Sequence, residues 1–229
     1  MIELVKILDI KVHNLNKAQI TGIIEDYLKS KKTHFIATPN PEIILKCQHN
    51  FKLKNIINNA DLAIPDGFGL LIASKFKIKT RVSGVDVMTD IIKIAEQKKN
   101  SILFIINHNG LTQKGDLDKT IQNKYPNLLY KIAFSDEKLL FQPSIIFVGL
   151  GCPDQEFWIN DHAKQFTEAR ILMGVGGGID FLSGNQKRAP KLWQKIGLEW
   201  LWRLIHQPNR ILRIINAVII FPIKALIKN

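Results

Sequence analysis

Cysteine is almost missing from this sequence: Cys47 and Cys152 are the only two in 229 residues, far apart along the chain and in unrelated contexts. Neither a disulfide framework nor a multi-cysteine metal site can be built from them, so a reducing compartment is expected. Also lacking is any stretch of roughly 20 apolar residues, the length that spans a bilayer. The opening Met1 to Ile10 has no basic region followed by a long apolar region and a cleavage site, which points to a cytosolic protein. The six histidines, His13, His34, His49, His108, His162 and His206, form no ligand-spaced pair, and no metal site is expected. Internal repeats and low-complexity tracts are absent too.

Acidic residues are scarce at one end. The formal charge is +12, and from Gln186 onward Lys187, Arg188, Lys191, Lys195, Arg203, Arg210, Arg213, Lys224 and Lys228 face Glu199 alone. About the last fifth of the chain therefore carries two thirds of the excess charge. Trp193, Trp200 and Trp202 lie in the same segment, and only Trp158 lies outside it. Basic residues interleaved with indoles and aliphatics suit a phosphorylated ligand, a nucleic acid or an anionic membrane surface; a solvated basic tail is the plain alternative.

Elsewhere short apolar runs alternate with segments of helical period. His34 to Thr38, Asp61 to Pro65, Ser101 to Ile106, Leu128 to Phe134, Ser144 to Gly149 and Arg170 to Val175 have the length and β-branching of buried strands. Helical spacing marks Lys17 to Lys29, Pro41 to His49, Val85 to Lys98, Leu111 to Tyr125 and Gln155 to Phe166. Ile2 to Ile10 reads as an edge strand or a hairpin. The pattern predicts an α/β fold, a Rossmann-like, mostly parallel sheet with helices on both faces, followed by a basic helical appendage at the carboxyl end.

In such a sheet ligands lie beyond the carboxyl ends of the strands. Four unusual loops fall there: Thr38-Pro39-Asn40-Pro41, Pro65-Asp66-Gly67-Phe68-Gly69, Gly149 to Glu156, and Gly174 to Asp180. A dinucleotide fingerprint needs glycine at the first, third and sixth positions, but the sixth is Asp154 in one cluster and Ile179 in the other. No Gly-Lys-Ser or Gly-Lys-Thr occurs, which excludes a nucleoside triphosphatase loop. The glycines indicate close backbone approach, to a phosphate, a sugar or merely a tight turn. Asp66, fixed between Pro65 and Gly67 at a strand end, is placed to take a proton from a sugar hydroxyl, or else bonds its own turn. Glu156 and Asp180 are weaker candidates on the same rim.

At the basic end, a helix over Arg203 to Arg213 would align Arg203, His206, Arg210 and Arg213 on one face, unless Pro208 breaks it. Such a stripe could bind a diphosphate and stabilise it as a leaving group without a metal ion. Ile214 to Ile227, interrupted by Pro222 and Lys224, reads equally as an interfacial helix or as a helix docked on a partner or on its own core.

Taken together these residues resemble the WecG/TagA/CpsF glycosyltransferase family, glycosyltransferase family 26. The matching stretches are Thr38 to Asn40, Ala60 to Gly69, Arg81 to Asp86, Gly149 to Gly151 with Pro153 and Gln155-Glu156, Gly174 to Gly177 with Asp180, Ser183-Gly184, Arg188 to Pro190, Gly197 to Arg203 and Pro208 to Arg210. Asp154 departs from the pattern, where the family usually has lysine. The resemblance implies a catalytic domain over 1–190 and an appendage over 191–229 that closes the site and meets the membrane surface. It implies inverting transfer of an N-acetylmannosamine-type sugar from a uridine diphosphate donor to N-acetylglucosamine on undecaprenyl diphosphate, for cell-surface polymers such as teichoic acid, enterobacterial common antigen or exopolysaccharide. By matching position, Asp66 is the expected base and Thr38 a catalytic neighbour. Arg203, Arg210 and Arg213 would grip the diphosphate. Asn40, Arg81, Gly151, Gln155, Glu156, Gly176, Gly177 and Asp180 would line the substrate site. No cofactor or metal is implied, nor any nucleic acid. The expected location is the inner face of the bacterial plasma membrane, peripherally bound, with a homo-oligomer as an option. Competing classes are a transferase of the same family using another hexose or a uronic acid, a nicotinamide-dependent oxidoreductase, a basic nucleic-acid-binding module and a non-catalytic membrane scaffold.

Overall fold

A computed structural model of the chain describes residues 3–206 and 211–228, and the side chains among them except those of Lys195, Arg203 and Lys228. The six apolar runs become β3 (His34–Ala37), β4 (Leu62–Ala63), β5 (Ser101–Ile106), β6 (Leu129–Phe134), β7 (Ile145–Val148) and β8 (Ile171–Gly174). They form one parallel sheet in the order β4-β3-β8-β7-β5-β6. The second run pairs over two residues only. Ile64 N–H still donates to the Ala37 carbonyl, but Pro65 has no N–H with which to continue the ladder. The opening segment is a hairpin of β1 (Leu4–Ile7) and β2 (Ile10–His13), a separate antiparallel pair. It is tied to the main sheet where His13 Nδ1 accepts the Ala63 N–H at 2.9 Å, and burial holds the His13 pKa below its ordinary value.

Alternate residues of each strand face opposite layers. Ile102, Phe104 and Ile106 pack with α1 (Lys17–Lys29), α5 (Gly84–Lys98), α6 (Lys114–Lys124) and α8 (Gly178–Ser183). Leu103 and Ile105 pack with α7 (Asp154–His162). A third cluster joins Ala37, the hairpin, α2 (Pro41–Cys47), α3 (Phe51–Asn58) and α4 (Phe68–Ala73). Asparagines start several helices: Asn16, Asn40 and Asn50 each accept a first-turn N–H through the side chain, and Pro41 sits where its missing N–H costs nothing. The helix predicted from Leu111 starts at Lys114, and the one predicted to Phe166 ends at His162 with a 3₁₀ turn after it. The α3, α4 and α8 helices, six to eight residues long, were not legible in the periodicity. Cys47 and Cys152 meet in the third cluster, unbonded.

The connections that follow the neighbours β3 and β8 diverge, since β3 feeds α2 on one face and β8 feeds α8 on the other. That divergence opens a crevice, where ligands of such sheets bind. Over it lie α9 (Lys191–Lys195), α10 (Glu199–His206), α11 (Ile211–Ile215), a π-helical turn (Asn216–Ile220) and α12 (Phe221–Lys228). Phe221 and Ala225 are buried against Ala37, Ile43 and Leu70, while Ile219, Ile223, Leu226 and Ile227 are exposed. The terminal run thus docks on its own core with one face and leaves an apolar face outward. Among the described residues no helix is long and apolar enough to cross a membrane.

Candidate active site

Asp66 follows β4 and is locked by its backbone, whose N–H donates to the Pro39 carbonyl at 2.9 Å. Gly67, next in the chain, has φ +105°, a conformation that a side chain would strain, and it lets the loop close on Pro41. The Asp66 carboxylate accepts the Gly84 N–H at 3.1 Å, at the first residue of the 15-residue helix α5. Thr38, following β3, packs against the same Gly84; a methyl group there would lie 3.1 Å from the Thr38 side chain. The two expected catalytic residues are therefore brought together around one helix start.

In front of Asp66 is a cavity of about 360 Å³. Asn40, Asp66 and Phe68 from the strand ends form one wall, Arg81 a side, and Gly197, Glu199, Trp200, Arg213 and Ala217 from the carboxyl-terminal helices the other. The Asn40 side-chain oxygen is committed to capping α2 through the Ile43 N–H. Arg81 donates from Nη2 to Glu199 at 2.9 Å and from Nη1 to the Gln194 carbonyl at 3.2 Å. Arg213 pairs with Glu42 through Nε and Nη2. Four of the expected site residues, Asn40, Asp66, Arg81 and Arg213, thus share one cavity. Arg210 and the side chain of Arg203 lie outside the described residues. So does the link between α10 and α11 that holds Pro208, and with it the expected one-face stripe.

The glycine-rich loops after β7 and β8 meet beside this cavity. Gln155 staples them: its Oε1 accepts the Gly176 N–H at 2.9 Å and its Nε2 donates to Glu156 at 2.7 Å. A methyl group on Gly174 would lie 2.7 Å from that amide. Gln155 and Glu156 are only 4% and 3% exposed, so the structure places them beneath the loops and outside the walls of the Asp66 cavity. Burial pushes the Glu156 carboxyl up, against the opposing pull of its hydrogen bonds to Gln155 and Cys152. Gly177 precedes α8, and Asp180 accepts from Thr112 at 2.8 Å; neither lines the Asp66 cavity. Gly151 lines a second cavity on the far side of Glu42 and Arg213.

Two wall residues, Glu42 and Glu199, are not among those expected at the site. Glu42, at the first turn of α2, reads from sequence as a dipole-compensating helix residue. Glu199 had a signal in its isolation among nine cations. Arg188 grips Asp86 at 2.5 and 3.0 Å, and its guanidinium holds that carboxyl below the usual carboxylate range, which fixes the 186–190 segment to α5. The Asp116-Leu117-Asp118 spacing lies in α6, where Asp118 accepts from Tyr130 and Gln122, and Asp116 from Asn185. Among the described residues no three His, Cys, Asp or Glu side chains cluster as metal ligands.

A half-buried carboxylate that shares a cavity of this size with two arginines brings a proton acceptor and groups able to meet anionic charge to one site. Comparison with known proteins places the chain in a family. The family model described as Glycosyl transferase WecG/TagA/CpsF family matches residues 5–229. The chain belongs to this family. Proteins similar to it include the N-acetylglucosaminyldiphosphoundecaprenol N-acetyl-beta-D-mannosaminyltransferases of Staphylococcus aureus strains MRSA252, MW2 and NCTC 8325. Each is 32% identical over 225 residues, covering 92% of this chain and 87% of the relative. As a member of the family the chain is a glycosyltransferase, and the oxidoreductase, nucleic-acid-binding and scaffold readings fall away.

Proposed function

We propose that the chain transfers N-acetylmannosamine, with inversion, from its uridine diphosphate donor to N-acetylglucosamine carried on undecaprenyl diphosphate, as a step in bacterial cell-surface polymer synthesis. The observation that carries the mechanism is that Asp66 shares one cavity with Arg81 and Arg213, together with relatives named for this transfer. The acceptor hydroxyl oxygen attacks the anomeric carbon as the bond from that carbon to the diphosphate oxygen breaks. Asp66 takes the hydroxyl proton, with Thr38 beside it placing the reacting groups. The electron pair leaves on uridine diphosphate, whose charge is met by Arg213, joined by Arg203 and Arg210, so that no metal ion is required. Arg81 and Asn40 shape the sugar pocket. Gln155, Glu156, Gly176, Gly177 and Asp180 hold the adjoining loops against the donor.

The appendage over 191–229 closes this site and rests on the inner face of the plasma membrane. Support comes from the exposed Ile219, Ile223, Leu226 and Ile227 beside Lys224, and from an acceptor that is itself a lipid. The test is release of uridine diphosphate from a panel of uridine diphosphate sugars, with a lipid-diphosphate N-acetylglucosamine acceptor and excess chelator. Acceptor-dependent release from the N-acetylmannosamine donor is expected. Release from a different sugar alone would replace the donor, and loss of release with chelator would overturn the metal-free mechanism.

A further inference from the structure

Glu42 stands between two cavities. Its Oε2 accepts from Arg213 Nε at 2.9 Å and Nη2 at 2.8 Å, and its Oε1 lies 3.3 Å from Lys46 Nζ. Glu42 and Arg213 line both the Asp66 cavity and a second cavity of about 550 Å³, which Lys46, Gly151, Cys152 and Asn216 help enclose. The Glu42 side chain is 23% exposed, against 40% for Lys46 and 56% for Arg213, so the anion sits deeper than the cations that hold it. One carboxylate with its two oxygens shared between an arginine and a lysine occupies the position of an oxyanion bridging both. Lys46 is also anchored independently, by donating to the Cys152 carbonyl at 2.7 Å. It would keep its place if the carboxylate moved away.

The transfer proposed above involves two diphosphates, one on the leaving nucleotide and one on the lipid carrier. In the Asp66 cavity, Arg81 already faces Glu199. The cations of the second cavity have no part in that scheme beyond Arg213. We propose that the second cavity is a diphosphate subsite and that Glu42 is its resident counter-anion, displaced when a diphosphate bridges Lys46 and Arg213. The inference rests on the transferase reading for the source of the diphosphate, whether nucleotide or prenyl carrier, and on the side chains alone for the chemistry of the site.

A ligand that must displace an internal anion binds more weakly by the cost of that displacement. Calorimetry on the full-length chain, its Glu42→Gln variant and its Lys46→Gln variant, at one salt concentration, tests this with inorganic pyrophosphate, uridine diphosphate and geranyl diphosphate. Glu42→Gln is expected to tighten pyrophosphate about tenfold, and Lys46→Gln to weaken it about tenfold, the scale of one close charge pair. Whichever organic diphosphate follows pyrophosphate in both variants is the occupant. Unchanged or weaker binding in Glu42→Gln overturns the proposal, as does no measurable pyrophosphate binding to any of the three proteins. Lys46→Gln leaves the Arg213–Glu42 pair in place, so if Glu42→Gln fails to fold, unaltered affinity in Lys46→Gln still overturns it. Sugar transfer measured on the wild-type chain separates the two readings. Transfer without these affinity shifts removes the subsite alone, and the shifts without transfer remove the transferase reading alone.

Discussion

In the sheet, Ile102 to Ile105 of β5 and all four residues of β7 are sealed from solvent, packed between helices on both faces. In the described run from Ile211 to Ile227, Phe221 and Ala225 are buried, whereas Ile211, Leu212, Ile219, Ile223, Leu226 and Ile227 stand at least half exposed. The sheet is held by burial of apolar area in every direction. The terminal helices are held by a narrow apolar seam and by ion pairs, Arg81–Glu199 and Arg213–Glu42, that are also walls of the cavities. The contacts that keep these helices in place therefore also line the cavities. The Asp66 carboxylate, by contrast, meets the start of α5 beside the sheet.

The largest effect that could break this contrast comes from equivalent cuts in the two regions. Phe147→Ala, in the sheet, should cost about 3–5 kcal/mol in global stability by denaturant unfolding, the usual range for emptying a sealed phenylalanine site. Phe221→Ala empties an equally sealed site, yet it should act locally. Hydrogen exchange should quicken across 211–228 while the β5 and β7 amides keep their protection, and sugar transfer should fall. Matching losses of sheet protection in both variants would mean that the helices are part of the core.

A smaller effect is expected at the joint between the regions. Arg81 and Glu199 side chains are only 16% and 15% exposed, so Arg81→Gln removes a charged hydrogen bond from a largely buried pair. A loss of about 2 kcal/mol is expected, within the range for hydrogen bonds to charged groups. Because the pair lines the cavity, KM should rise with it. A stability change with KM untouched would make the pair structural only.

The smallest effect belongs to the hairpin, which shares a hydrophobic cluster with Phe221 and Ala225. Burial lowers the His13 pKa from 6.5, and the neutral ring accepts the Ala63 N–H. The unfolded chain binds this proton more readily than the folded one, so the contribution is complete above about pH 6.5 and is lost as pH falls through the lowered folded value. Unfolding midpoints of wild type and His13→Leu, followed from neutral to mildly acidic pH, should show a slope in the wild type that the variant lacks.

The β-branched runs made each strand of the sheet legible in sequence within a residue or two, except where Pro65 cut β4 short. Asp66 and Asn40 stood out because they follow apolar runs, Arg213 through its place in the basic carboxyl-terminal segment, and Arg81 through the family resemblance. What sequence did not disclose were the partners. Glu42 and Glu199 are ordinary first-turn acids along the chain, and only tertiary packing sets them against Arg213 and Arg81. Gln155 and Glu156 gave the opposite difficulty: their place in a glycine-rich loop suggested contact with substrate, but they lie buried beneath it, where they tie α7 to the loop after β8.

In the proposed reaction a carboxylate held at a strand end withdraws the acceptor proton while the terminal helices take up the leaving charge. Turnover and uridine diphosphate affinity of Asp66→Asn separate these two roles. Near-wild-type nucleotide affinity is expected, with turnover lowered roughly a hundredfold or more, as removal of a general base requires. Turnover equal to wild type in a folded, nucleotide-binding Asp66→Asn chain would contradict it.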